Sequence, residues 1–254
     1  RININYKFES MLQIYELILM PWIILAAIIF FILVKIPAPY GKFSNTSWRP
    51  RIPSQLGWFV MEIISPIAFA YFFLIGDTEK SLVTWIFFLC WVGHYFNRSF
   101  IYSFRQQSPA RIPLFFVFLA ILFNTVNGSI NGYYLGSMET YTLGYSSNWN
   151  FILGVLLFSV GMVINIKSDN ILLKLKSQGN GYQIPNGFLY KYVSCPNYFG
   201  EILEWTAFAL MTWSWAGLSF MIWTIANLIP RAVKGHRWYH QTFDDYPKKR
   251  KIIF

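Results

Sequence analysis

Two acids and an amide stand out because of what surrounds them. Asn197, Glu201 and Glu204 are spaced four and three apart, on one face of an apolar segment long enough to cross a bilayer. Carboxylates at that depth are costly to keep and mark a functional site by default. Three other apolar segments carry the same signature. Glu62 lies between Trp58 and Pro66 with no basic residue within a turn of it. An unpaired carboxyl in such surroundings disfavours its charged form, so Glu62 is expected to be protonated and able to donate a hydrogen bond. His94, Tyr95 and Arg98 bring a phenol and a guanidinium three residues apart on one face, and Asn165 and Asp169 share another. The cost of facing lipid turns each set toward the bundle interior. The structural alternative for the acids is a lock in which Glu201 or Glu204 pairs with Arg98 or Arg231. His236 and His240 have helical metal-ligand spacing but no third ligand nearby, and Cys90 and Cys195 have no CxxC spacing. Neither a metal site nor a disulfide is expected.

The elements that must position these residues follow from composition. Of the 254 residues 55% are hydrophobic, 20% aromatic and only 13% charged, more apolar surface than a soluble domain of this size can hide. Spans are expected at 11–34, 56–76, 81–97, 112–128, 149–166, 198–216 and 217–233. The break between the last two is marked only by the run from Ser214 to Gly217. The first span is too long for a cleaved signal peptide. A chain beginning at Arg1 implies a preceding initiator methionine. All but three of the 21 basic residues, Arg1, Lys7 and Lys80, fall on alternate loops and the tail. Short cytoplasmic loops are rich in Lys and Arg, so the fold class is all-α and polytopic: seven transmembrane helices, N-terminus outside, C-terminus cytosolic. The net charge of +10 is mostly this topology signal, with attraction to anionic lipid and no nucleic-acid partner. One domain covers 1–254. Within the 167–196 loop, the run from Gly179 to Gly187 is turn chemistry rather than a phosphate-binding motif, and it is expected to act as a flap over a ligand.

Several of these runs carry a resemblance. Met61 and Glu62, His94 to Ser103, Asn131 to Tyr134, Gly161 to Asp169, Ile184 to Gly187, Asn197 to Trp205 and Phe243 to Arg250 occur in an order that resembles the steroid 5-alpha-reductase family, from about residue 40 onward. The resemblance implies an NADPH-dependent reductase of the carbon–carbon double bond in a 3-oxo-Δ4 steroid. It would be an integral protein of a bacterial inner membrane or the endoplasmic reticulum, with the cofactor site facing the cytosol and no obligate protein partner. Residues 1–55 would form the first helix and loop, 56–128 the substrate-side helices, and 149–254 mainly the cofactor side. Glu62 and Tyr95 match the carbonyl-binding pair. The positions associated with the dinucleotide are Asn165, Asp169, Tyr182, Asn197, Glu201, Arg231, Tyr239 and Arg250; Trp58, His94, Arg98 and Glu204 fall in or beside the pocket. Hydride addition to an enone places negative charge on the carbonyl oxygen, so paired donors there make chemical sense, as in the tyrosine and neutral acid of ketosteroid isomerase. Three departures bear on the cofactor's 2′-phosphate: Gln183 replaces an arginine, Lys176 stands for Arg, and Gly235 interrupts a basic run. Polyprenol and trans-2-enoyl-CoA reductases, an isoprenylcysteine-type methyltransferase and a seven-helix receptor are the rivals.

Overall fold

The computed structural model describes residues 2–36, 41–43, 47–106, 109–179 and 181–253, with side chains from Tyr15 onward. Arg1, the side chain of Lys7 and parts of the 35–55 and 179–187 loops lie outside the described residues. Helices α1 (Ile2–Lys35), α2 (Ser54–Ile75) and α3 (Leu82–Phe96) come first. The third runs on through a π-helical turn, Asn97–Tyr102, into a short α4 (Ser103–Arg105). Then follow α5 (Leu114–Tyr133), α6 (Trp149–Ser177), α7 (Pro196–Thr212) and α8 (Trp215–Thr242). Five of these stretches are long and apolar enough to cross a membrane: Tyr15–Lys35, Ser54–Ile75, Leu114–Met138, Trp149–Ser177 and Trp215–Thr242. At 15 and 17 residues, α3 and α7 are shorter.

The helices outrun the spans expected from hydropathy. Residues 167–177, read as loop, continue α6, and α8 extends nine residues past 233. Hydropathy marks where a helix meets lipid, whereas the backbone ladder continues wherever packing and propensity allow it. The break between the last two helices falls at Trp213, in a left-handed conformation (φ 48°), and Ser214 Oγ then accepts from the Gly217 N–H at 3.0 Å to start α8. Pro196 opens α7 at a position where a missing N–H is harmless.

Two devices fix the helices that carry the polar residues. A two-stranded antiparallel clip, β1 (Arg51–Pro53) with β2 (Arg111–Pro113), runs directly into α2 and α5 and sets their register. Gly128 and Gly132 on α5, and Gly136 on the π-helical turn that follows it, let this backbone lie on that of α2. At the α6–α7 seam, a Cβ on Gly200 would lie 2.5 Å from Asn165 N and 2.7 Å from Gly161 O. Gly200→Ala is therefore expected to destabilise the protein by about 1–3 kcal/mol, from overpacking against backbone that cannot yield. A lowered thermal midpoint of the purified protein in detergent checks this; an unchanged midpoint would mean that the seam opens freely.

Between the helices sits an aromatic core. Trp91, Trp205 and Phe220 meet with centroids 4.5–5.0 Å apart, and Phe208 closes on Trp91 at 5.3 Å. Tyr95 and His94 rest against this core, on Trp205 at 5.8 and 4.7 Å. Outward-facing Leu17, Phe31, Leu74, Leu89 and Leu156 are exposed, as helices in contact with lipid require.

Candidate functional site

Irregular backbone accompanies the polar residues. Pro66 has no N–H to offer the Glu62 carbonyl four residues earlier, and Arg98 lies on the π-helical turn. Four elements then converge. Arg98 donates through Nη1 to Asp169 Oδ2 at 3.0 Å, and its Nη2 lies 3.7 Å from Glu62 Oε1. Asp169 Oδ1 accepts from Asn197 Nδ2 at 3.1 Å, and Asn165 Nδ2 donates to the Asn197 carbonyl at 3.0 Å. Tyr102 and Trp58 face the guanidinium at 4.6 and 5.4 Å. Glu201 and Arg231 lie within electrostatic reach of Glu62.

This corrects two readings of the sequence. Glu62, taken to have no partner, faces Arg98, which arrives from a different helix and is invisible to inspection of one segment. In the structural alternative of a lock with Arg98 or Arg231, the Glu204 arm is not formed: Arg98 bonds Asp169 and Glu204 pairs with His94, Oε2 to Nδ1, at 2.7 Å, while Glu201 stays within electrostatic reach of Arg98. Glu204 is fully buried, and among the described residues its Oε1 has no hydrogen-bond partner. A buried polar atom left unmatched costs about 1–3 kcal/mol, so Oε1 is a ready contact for a ligand.

Tyr95 is tied to Glu62 through Asn124. The Tyr95 hydroxyl donates to Asn124 Oδ1 at 3.4 Å, and Asn124 Nδ2 donates to the Met61 carbonyl at 2.7 Å, next in chain to Glu62. The phenol and the carboxyl thus come from two helices held by one amide on a third.

A second cluster forms where α8 ends. Tyr239 stacks on Tyr246 at 5.2 Å, and Arg250, 5.1 Å from the Tyr246 ring, donates to Pro185 O at 3.0 Å and Asn186 Oδ1 at 2.7 Å. The exposed Tyr182 meets Trp238 edge-on at 5.1 Å. Lys42 lies over Tyr239 and Trp238 at 4.4 and 4.7 Å, and a Cβ at Gly235 would come within 3.2 Å of its ammonium. The glycine that interrupts the basic run thereby admits a cation from another part of the chain. Burial pulls the Lys42 ammonium below its ordinary pKa, opposed by the neighbouring Cys195, and burial pushes the Cys195 thiol up to about 12. His236 bonds Ser194 at 2.6 Å rather than acting with His240 alone.

Tyr190, almost wholly buried, links the two clusters. Its hydroxyl reaches Ser168 O at 3.5 Å, beside Asp169, and it lies within electrostatic reach of Tyr239. Sequence reasoning missed Asn124, Tyr102, Lys42 and Tyr190. For Asn124 a signal existed, since Asn124, Asn127 and Asn131 line one side of an apolar helix. Nothing local distinguishes Lys42 from the other loop lysines.

Apolar helices around a buried network of guanidinium, carboxyl, amide and imidazole define a multi-pass membrane protein with an interior chemical site. A family profile described as 3-oxo-5-alpha-steroid 4-dehydrogenase matches residues 110–254. The chain is 42% identical over 228 residues to the steroid 5-alpha-reductase DET2 of Gossypium hirsutum, covering 85% of this chain and 86% of that protein. It is 35% identical over 234 residues to 3-oxo-5-alpha-steroid 4-dehydrogenase 1 of Bos taurus, covering 90% and 91%. To the human protein of that name it is 37% identical over 217 residues, covering 84% of each. The chain belongs to the steroid 5-alpha-reductase family.

Proposed function

We propose that this protein reduces the C4–C5 double bond of 3-oxo-Δ4 steroids with NADPH. The observation that supports the reading is the linkage of Tyr95 through Asn124 to the backbone of the Glu62 turn, with Glu62 within electrostatic reach of the phenol. Negative charge builds on the C3 oxygen as the double bond is reduced, and donors fixed in a water-poor site stabilise that charge strongly. Tyr95 and Glu62, the latter in its protonated form, donate to that oxygen. Arg98 has Asp169 at the shorter distance, which leaves the Glu62 carboxyl for hydrogen bonding rather than charge pairing. Tyr95, Glu62 or a water returns the proton at C4.

The residues present fit the dinucleotide. Orphaned Glu204 Oε1 suits the amide N–H of a carboxamide, Asn165, Asn197, Asp169 and Glu201 suit amide and ribose groups, and Arg231, Arg250 and Lys42 suit phosphates. Tyr182 and Tyr239 offer ring faces beside that end. When bound, NADPH supplies the hydride taken up at C5. Trp58 and His94 wall the pocket. Lys42 offsets the cations missing at positions 183 and 235, in keeping with NADPH rather than NADH. The run Gly179–Gly187 folds over the cofactor, hinged at Gly179 and Gly181, both with positive φ, and anchored by Arg250. With α3 and α7 crossing as well, the seven helices place the N-terminus outside and this end of α8 in the cytosol.

Purified protein with a 3-oxo-Δ4 steroid is expected to consume one NADPH per 5α-reduced product, two mass units heavier than its substrate. A trans-2-enoyl thioester is expected to give none. Tight NADPH binding without a steroid product would overturn the substrate assignment and leave the cofactor assignment standing.

A further inference from the structure

Two indoles meet beside the aromatic core and are treated differently. Trp22 of α1 and Trp223 of α8 lie 4.7 Å apart. Trp22 Nε1 donates to Asn127 Oδ1 at 3.0 Å, whereas Trp223 Nε1, on a side chain 4% exposed, has no hydrogen-bond partner among the described residues. Ser219 lies four residues earlier on the same face of α8, 1% exposed, and its Oγ is likewise without a partner among them. Hydroxyls buried in a helix usually bond back to the carbonyl one turn earlier. Thr224 does so to Phe220 O at 3.0 Å, Thr212 to Phe208 O at 2.8 Å and Ser99 to Tyr95 O at 2.6 Å. Ser219, beside Trp223, and Ser168, on α6, depart from this among the described residues.

These atoms stand close to the carbonyl-binding pair without belonging to it. Trp223 packs edge-on against Phe123 at 5.2 Å, and Phe123 precedes Asn124, the acceptor for Tyr95. Phe123 meets Phe220 at 6.4 Å, and Phe220 meets Trp205, on which Tyr95 rests. A path of three rings, Trp205, Phe220 and Phe123, therefore connects Tyr95 to Trp223. A buried donor and a buried hydroxyl without partners among the described residues, on one face and one turn apart, are costly to leave unmatched and suit a ligand that brings its own polar atom.

We infer that Trp223 Nε1–H and Ser219 Oγ form a second hydrogen-bonding point of the substrate pocket, which reads an oxygen function remote from the enone. The inference rests on the reductase reading and refines it. The pocket selects 3-oxo-Δ4 steroids that carry a hydroxyl or carbonyl on the far ring over those that carry only hydrocarbon there. A site built to hydrogen-bond an oxygen discriminates against the analogue that lacks it, because its own polar groups are then left unmatched.

The test uses androst-4-en-3-one with and without a 17β-hydroxyl, the full chain in proteoliposomes, and NADPH. The unaltered protein is expected to favour the hydroxylated steroid by roughly fivefold to tenfold in kcat/KM, the worth of one neutral hydrogen bond, with the difference in KM. In Trp223→Phe, which keeps an aromatic ring and removes the N–H, the ratio is expected to fall toward one. Ser219→Ala, a milder change to the packing, should lower it part of the way. No preference in the unaltered protein, or a preference that survives Trp223→Phe, would overturn the inference while leaving the reductase reading intact. Should neither steroid be reduced, the reductase reading fails, and equilibrium binding of the same pair to the unaltered protein and Trp223→Phe decides the inference by the same ratio.

Discussion

Tyr95→Phe is expected to lower kcat/KM for a 3-oxo-Δ4 steroid by about 10²–10³-fold, the usual consequence of removing one donor from a charge-stabilising site, with NADPH affinity retained. The substitution deletes a single oxygen. What it leaves is the ring, which rests on Trp91 at 5.7 Å, His94 at 5.2 Å and Trp205 at 5.8 Å, so the aromatic core stays filled. Of the bonds lost inside the protein, that to Asn124 at 3.4 Å is long and contributes little to folding, and the phenol also interacts with the Ser65 hydroxyl. Loss of rate with an unchanged thermal midpoint would thus assign the hydroxyl to the transition state. Glu62→Gln retains a donor of lower acidity and is expected to fall between Tyr95→Phe and the unaltered protein. Steady-state kinetics together with NADPH titration separates these effects, and a change under threefold in Tyr95→Phe would remove Tyr95 from the reaction.

The largest effect on stability is expected at Arg98. Its guanidinium is buried, bonded to Asp169 on α6 and close to Glu62 on α2, and Asp169 in turn accepts from Asn197 at the start of α7. Arg98→Leu leaves the buried Asp169 carboxylate without its cation, a change that costs about 3–5 kcal/mol in comparable sites. Little folded protein is expected from the single variant, measured as monodisperse material after extraction in detergent. Adding Asp169→Asn to it should recover part of the yield by removing the stranded charge. A single variant as stable as the parent would mean that the cluster does not hold these helices together.

The sequence was readable where one helix suffices to make the argument. The cost of burying acids placed Glu204 and Asp169 inside, and both are buried; the break expected between 216 and 217 exists, two to four residues earlier, at Trp213 and Ser214. What failed to show was anything set by a second helix. Glu62 has no cation within its own turn, yet the π-helical turn after α3 brings Arg98 to it, and no periodicity announces a π turn. The ends of α6 and α8 were misjudged because hydropathy falls at the membrane surface while the helical ladder does not. Gly235 looked like a loss of charge, and only the packed chain reveals Lys42 lying across it.

The contacts made by Arg250 and Lys251 bear on how the protein is made. Lys251 forms a parallel bridge with Val193, and Arg250 grips Pro185 and Asn186, so residues just before α7 are closed off by residues well after α8. A ribosome delivers helices to the membrane in order, and every crossing can be in place before that closure forms. An inserted chain is therefore not yet a finished one, and a fragment stopping at Thr242 would pass the translocation machinery with the segment before α7 still open.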